Sequence, residues 1–194
     1  MMRDRTNVFD KSVILIGPMG VGKTTAAKEI AKILDMPYID VDELRWEYFN
    51  RQPDYDGQMV EELFNSGKET EAFRYMKPFE ARFSVDLLER QMYGVFDFGA
   101  GYSVYEDAAL FDKVRAAFAK YKQVIYLRYS DDTAESIEAL RDRHEEIPDD
   151  LYHFLNEGFV KSPCNEALAT YIVDTKGKTA ESVIETVLTK IHSK

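Results

Sequence analysis

Cysteine is almost absent from this chain: one residue, Cys164, in 194. A single thiol closes no internal disulfide and builds no cysteine-based metal site, so the expected setting is a reducing cytoplasm. Long apolar runs are missing too. The longest span only a few residues, too short for a transmembrane helix. The N-terminal stretch MMRDRTNVFDKSVILIG starts basic but lacks the apolar segment and small-residue cleavage site of a secretory signal. Proline is scarce, with six residues, and no linker, repeat or low-complexity tract divides the sequence. One domain over residues 1–194 is therefore expected, and a 45% hydrophobic content can supply its core. Positive charge is in deficit, 25 Lys and Arg against 35 Asp and Glu, for a net −10. Such a surface repels phosphate backbones and anionic lipid, which argues against general nucleic-acid or membrane binding. A small-molecule partner is expected, and both monomer and homodimer stay open.

Glycine is not abundant, yet three of the ten glycines fall within six residues, in GPMGVGKTT from Gly17 to Thr25. Gly17-Pro-Met-Gly-Val-Gly22-Lys23-Thr24 fits G-x-x-x-x-G-K-[ST] without adjustment, with an apolar strand pattern before it and an amphipathic helix after it. Glycines let successive N–H groups turn inward around a phosphate, and the helix adds unsatisfied donors and the positive end of its dipole. Gly17, Met19, Gly20, Val21, Gly22, Lys23, Thr24 and Thr25 are thus candidate nucleotide-binding residues. Lys23 would span the β- and γ-phosphates, and the Thr24 hydroxyl would ligate Mg²⁺.

Periodicity alternates strand and helix along the chain. Strands are expected at 12–16, near 38–41, at 93–98, 123–127 and 171–173. Helices are expected at 24–34, 58–65, 70–91, 106–121, 133–144 and from Thr179, with a charged loop at 145–150. Such alternation means an α/β fold, with a mostly parallel sheet covered on both faces and its ligands beyond the carboxyl ends of the strands. No Asn-Lys pair exists to seed a guanine-reading motif. A short chain with an early phosphate loop and an Asp-x-Asp about twenty residues later suits a small-molecule kinase.

Beyond the loop, YIDVDEL (Tyr38 to Leu44), AFR (Ala72 to Arg74), GAG (Gly99 to Gly101) and, more faintly, KSPCNEALATYIVDT (Lys161 to Thr175) resemble the shikimate kinase family. That resemblance implies a phosphate-loop three-layer fold with a five-stranded parallel sheet in order 2-3-1-4-5. It also implies a helical acceptor-binding region at about 42–92 and a lid at about 141–158. The implied activity is Mg²⁺-dependent transfer from ATP to a hydroxyl of a small, anionic, hydroxylated metabolite, with shikimate the first choice. Asp42 would then orient or deprotonate the acceptor hydroxyl, and Asp40 would help hold the Mg²⁺ water shell. Arg74 would bind the acceptor carboxylate as a bidentate fork, and Gly99, Ala100 and Gly101 would form the turn approaching the acceptor. Other readings stand beside these: the acids after the strand can cap the next helix, Arg74 can be a solvated surface side chain, and the glycine turn an ordinary strand end.

The pattern also departs from the family. Asp97 in VFDFG occupies a strand end where the family has a small or apolar residue, and there it is a second candidate for the Mg²⁺ site. The lid reads RDRHEEIPDDLYHF, with Ile147 before Pro148 where the family has arginine. Arg143 is the candidate replacement for charge neutralisation and Arg141 for stacking on adenine. Lys161 stands where the family has an arginine and offers a carboxylate a point charge without the fork. Trp46, Tyr48, Phe49 and Tyr55 either pack into the core or stack on a nucleobase. Two alternatives follow: a nucleoside or nucleotide kinase of the same fold, and a nucleotide-binding regulatory protein with little or no turnover.

Overall fold

The computed structural model describes residues 8–144 and 147–193. The N-terminal seven residues and the first two of the charged loop expected at 145–150 lie outside the described residues. After a short helix α1 (Val8–Lys11), the chain runs β1 (Val13–Ile16), α2 (Lys23–Ile33), β2 (Tyr38–Asp40), α3 (Val41–Phe49), α4 (Gly57–Asn65) and α5 (Glu69–Glu89). It continues through β3 (Val95–Asp97), a 3₁₀ turn (Ala100–Ser103), α6 (Ala108–Phe118), β4 (Gln123–Arg128) and α7 (Thr133–Arg141). The last third holds α8 (Asp149–Tyr152), a π-helical turn (His153–Glu157), α9 (Gly158–Lys161), α10 (Cys164–Leu168), β5 (Tyr171–Asp174) and α11 (Ala180–His192).

All five strands are parallel, in the order β2-β3-β1-β4-β5. The expected order is therefore the observed one. Successive side chains of a strand point to opposite faces, and β1 shows why both faces need helices. Ile14 and Ile16 enter a core packed under α5 and α6, whereas Val13 and Leu15 enter one shared with α2 and α11. All four are fully buried. A third, smaller cluster joins Ala100, Val104, Leu155, Phe159 and Cys164, placing the cysteine in packing. Among the described residues no helix is long and apolar enough to cross a membrane.

Differences from the expected boundaries have local causes. Asp107 accepts from the backbone N–H of Ala109 and Leu110, so α6 begins two residues later than its apolar pattern suggested. Likewise Asp40 caps α3 by accepting from Asp42 and Glu43 N–H, and Thr179 caps α11. The π-helical turn was not foreseen. The aromatic group after β2 goes into the core rather than toward a base. Phe49 is fully buried, with ring centroids 5.2 Å from Tyr55, 6.2 Å from Phe79 and 6.2 Å from Phe83. Trp46 alone of the four stays substantially exposed, under the Arg45 guanidinium.

Phe49 thereby ties α3 to α5. Removing its ring leaves a cavity that rigid neighbours fill only partly. Phe49→Ala is expected to lower stability by about 3–5 kcal/mol, read from the urea unfolding midpoint; a loss under about 1 kcal/mol would contradict this packing.

Candidate active site

Strand β1 ends at the centre of the sheet, where the chain turns first toward β2 and later toward β4. That switch point opens a crevice beyond the carboxyl ends, and residues 17–22 fill it. Gly17, Gly20 and Gly22 all have positive φ, at 144°, 74° and 102°, conformations that side chains resist. At Gly17 a Cβ would sit 2.2 Å from the Leu127 carbonyl oxygen, so only glycine fits. Gly22 caps α2 with no side-chain hydrogen bond, which leaves the first-turn N–H groups available to an anion.

Lys23 is the buried cation of this loop. Its ammonium donates to the Pro18 carbonyl at 2.9 Å. Burial depresses its pKa to about 8, against the opposing pull of Asp97 and then Asp42. A buried ammonium with so little compensation is a strong attractor for phosphate.

The acids stand next to it. Asp40 and Asp97 are register partners on neighbouring parallel strands, so their side chains share a face. Tyr38, two residues before Asp40 on the same face, donates to both carboxylates, at 3.2 Å and 3.1 Å. Burial first, and then those carboxylates, holds the phenol pKa well above its usual value. Asp40 spends its other oxygen on the α3 cap. Two carboxylates on one hydroxyl form a donor set that fits Mg²⁺ held largely through waters and phosphate oxygens. It is too sparse for an all-protein cage, in keeping with the absence of any cluster of three or more metal-ligating side chains among the described residues.

Beside the loop lies a cavity of about 1050 Å³. Asp42, Arg74, Gly99, Ala100, Gly101 and Lys161, all singled out by sequence, line it, as does Met19 of the loop. Asp42 is at the mouth, with about half its side chain exposed. Partial desolvation raises its pKa, Arg45 works against this, and Asp40 adds to it. The Gly99 turn presses on this carboxylate: a Cβ there would meet Asp42 oxygens at 2.7 Å and 2.8 Å. Arg74 lies 5.2 Å from the Phe154 ring centroid, and Lys161 pairs with Glu157.

The two arginines of the expected lid separate clearly. Arg143 donates to the Gly20 carbonyl at 2.7 Å and so touches the phosphate loop. Arg141 donates to the His144 carbonyl at 2.6 Å and to Asp149 at 2.5 Å, with its guanidinium 4.9 Å from the Tyr152 ring centroid. Those contacts anchor the lid to itself.

Sequence reasoning missed several participants. Lys77 lies one turn after Arg74 and lines the same cavity, donating to Glu80 at 2.8 Å and to the Gly101 carbonyl at 2.7 Å. The i, i+3, i+6 spacing of Arg74, Lys77 and Glu80 was the available signal. Arg45, three residues after Asp42, donates to it at 3.1 Å and to the Tyr102 hydroxyl at 3.4 Å. Asn156, fully buried in the π-helical turn, accepts from the Met19 N–H at 2.8 Å and so ties the lid to the loop. Nothing in the sequence marks it.

Fold and loop together define a phosphate-loop kinase. The shikimate kinase family model matches residues 19–192, and the chain belongs to that family. Members are ATP-dependent kinases, and this chain is one by that membership. Solved structures agree on the fold. The shikimate kinase from Acinetobacter baumannii in complex with shikimate is 20% identical, with a TM-score of 0.65 over 94% of this chain and 93% of its own. The shikimate kinase from Aquifex aeolicus is 21% identical, TM-score 0.60, over 93% and 95%. A gluconokinase from Sinorhizobium meliloti is 16% identical, TM-score 0.57, over 94% and 92%.

The low Lys23 pKa gives a signed prediction. At pH about 8.5 the free protein holds this amine mostly neutral, and phosphates placed beside it restore the charge. ATP binding is therefore expected to take up a substantial fraction of a proton at pH 8.5 and almost none through Lys23 at pH 6.5. Calorimetry in buffers of different ionisation enthalpy measures this; equal uptake at both pH values would contradict it.

Proposed function

We propose that this chain transfers the terminal phosphoryl group of ATP, with Mg²⁺, to a hydroxyl of a small carboxylate-bearing metabolite, and that it works in the cytoplasm. Shikimate is the reference acceptor. One observation carries the reading: Asp42 lines the acceptor cavity and is also close enough to Lys23 for its charge to act on that ammonium. A base for the acceptor hydroxyl and a cation for the phosphates thus lie within reach of one another's charge.

The roles follow from position. Gly17, Met19, Gly20, Val21, Gly22, Thr24 and Thr25 surround the phosphates, and Lys23 spans the terminal pair. Thr24, Asp40 and Asp97 would hold the metal, which would supply charge neutralisation at the phosphates. Asp42 aligns the acceptor hydroxyl and takes its proton, helped by a raised affinity for that proton. Arg74 receives the acceptor carboxylate, Lys161 adds positive charge to the same cavity, and the 99–101 turn brings backbone close to the acceptor. Arg143, already on the phosphate loop, neutralises charge on the group in transit, the task of the family's missing arginine. Arg141 orders the lid and flanks the adenine. Residues 42–92 form the acceptor-binding region and 141–158 the lid, within one domain. Catalysis is then positioning plus charge neutralisation.

Asp42→Asn is expected to lower kcat by about 10²- to 10⁴-fold while leaving Mg-ATP affinity within about twofold. A coupled ADP-release assay across shikimate and a panel of hydroxy acids checks this. No rate above the acceptor-free background with any of them would sink the assignment.

A further inference from the structure

The acceptor cavity is larger and more apolar than a polyhydroxylated acid needs. Its volume of about 1050 Å³ lies at the top of the range for small-molecule sites. A shikimate-sized molecule of about a dozen heavy atoms, each given the roughly 30 Å³ of a liquid water, fills about a third of it. The walls are rings and branched chains: Phe73, Val104, Leu110, Phe154 and Phe159. Val104 and Phe159 belong to the small third core, and Phe73 and Phe154 pack against it. A hydroxyl set against them loses its water and finds no partner. An apolar group there gains burial.

Charge narrows the acceptor further. Arg45, Arg74, Lys77 and Lys161 are the cations lining the cavity. Arg45 is matched by Asp42, Lys77 by Glu80 and Lys161 by Glu157. Lys77 is also fastened to the Gly101 carbonyl and lies over the Tyr105 and Phe159 rings, so it serves as a peg for the glycine turn. Among the described residues Arg74 alone of these four has no carboxylate in contact; its partner is the Phe154 ring. Glu106 and Asp107 add further negative charge to the lining. One unmatched guanidinium suits one carboxylate. A phosphate dianion would meet Asp42, Glu80, Glu106 and Asp107 with too little positive charge to offset them.

Resting on the phosphotransferase reading above, we infer that the acceptor is a hydroxy acid with a single carboxylate and an apolar, ring-bearing or branched body. The carboxylate sits on Arg74, the hydroxyl at Asp42, and the body against Phe154 and Phe159. Phosphoryl transfer then breaks the bond between the terminal phosphorus of ATP and its bridging oxygen and forms one to the acceptor oxygen. The acceptor proton goes to Asp42, and ADP leaves.

The test separates this inference from the reading beneath it. Full-length protein is first titrated with Mg²⁺ and a non-hydrolysable ATP analogue; no binding would remove the kinase reading and this inference with it. The loaded protein is then titrated with 3-phenyllactate, lactate, shikimate, 3-phenylpropane-1,2-diol and adenosine monophosphate. Binding of 3-phenyllactate is expected to be at least tenfold tighter than that of each of the others. Arg74→Gln is expected to erase the preference for the acid over the diol, and Phe154→Ala the preference for phenyllactate over lactate, with nucleotide affinity unchanged in both. Nucleotide binding accompanied by tighter binding of shikimate or adenosine monophosphate, by no preference, or by no acceptor binding at all would overturn the inference and leave the kinase reading standing.

Discussion

A single buried ammonium organises this molecule. Lys23 is nine-tenths out of solvent, at the end of the central strand, with one carbonyl as its direct partner. Burying such a charge is costly unless something negative answers it, and the two nearby aspartates answer only in part, since its pKa remains depressed. Three positive-φ glycines hold the loop in a shape that also leaves the first-turn N–H groups of α2 without a side-chain cap. Loop and lysine are thus jointly short of an anion. On the proposed reading, the phosphates of ATP are the group that removes both deficits at once.

The surrounding acids are arranged so as not to cancel this demand. Asp40 divides its oxygens between a helix cap and Tyr38, Asp97 shares the same phenol, and Asp42 is shared with Arg45. Asp40 and Asp97 are held by the neutral Tyr38 phenol and Asp42 by the Arg45 guanidinium, and among the described residues none forms a direct ion pair with Lys23. The lid reaches the same loop from the other side, through Arg143 on Gly20 and Asn156 on Met19. The cavity and the segment expected to form the lid therefore meet at the same six residues of loop backbone.

Much of this was legible in the sequence, for identifiable reasons. The phosphate loop has a fixed spacing because its geometry admits few residues, and Gly17 against Leu127 shows how strict that is. A mostly parallel sheet followed from strand–helix alternation and its order from the family resemblance, and β1 carries apolar residues to both faces as such a sheet requires. Six predicted acceptor residues came together in one cavity because motif positions at strand ends converge in such a sheet. What stayed hidden depends on contacts between distant segments. Asn156 reaches Met19 across 137 positions, and Lys77 reaches the Gly101 carbonyl across 24. No local pattern encodes either. Different tasks were expected of Arg143 and Arg141, and the contacts behind them, Arg141 with Asp149 and Arg143 with the loop, came only from the structure. Tyr38 shares a strand face with Asp40, a signal that period-two reasoning contains and that a catalytic reading of the acids alone passes over.

If the deficit of negative charge at Lys23 is what draws the nucleotide, its removal must show in affinity before it shows in any rate. The dissociation constant of Mg-ATP, measured by calorimetry at neutral pH for the native chain and for Lys23→Ala, is the most direct measurement. A loss of at least about tenfold, the equivalent of roughly 1.4 kcal/mol, in a variant that stays folded is the predicted result. Equal affinities for the two proteins would contradict the account at its centre.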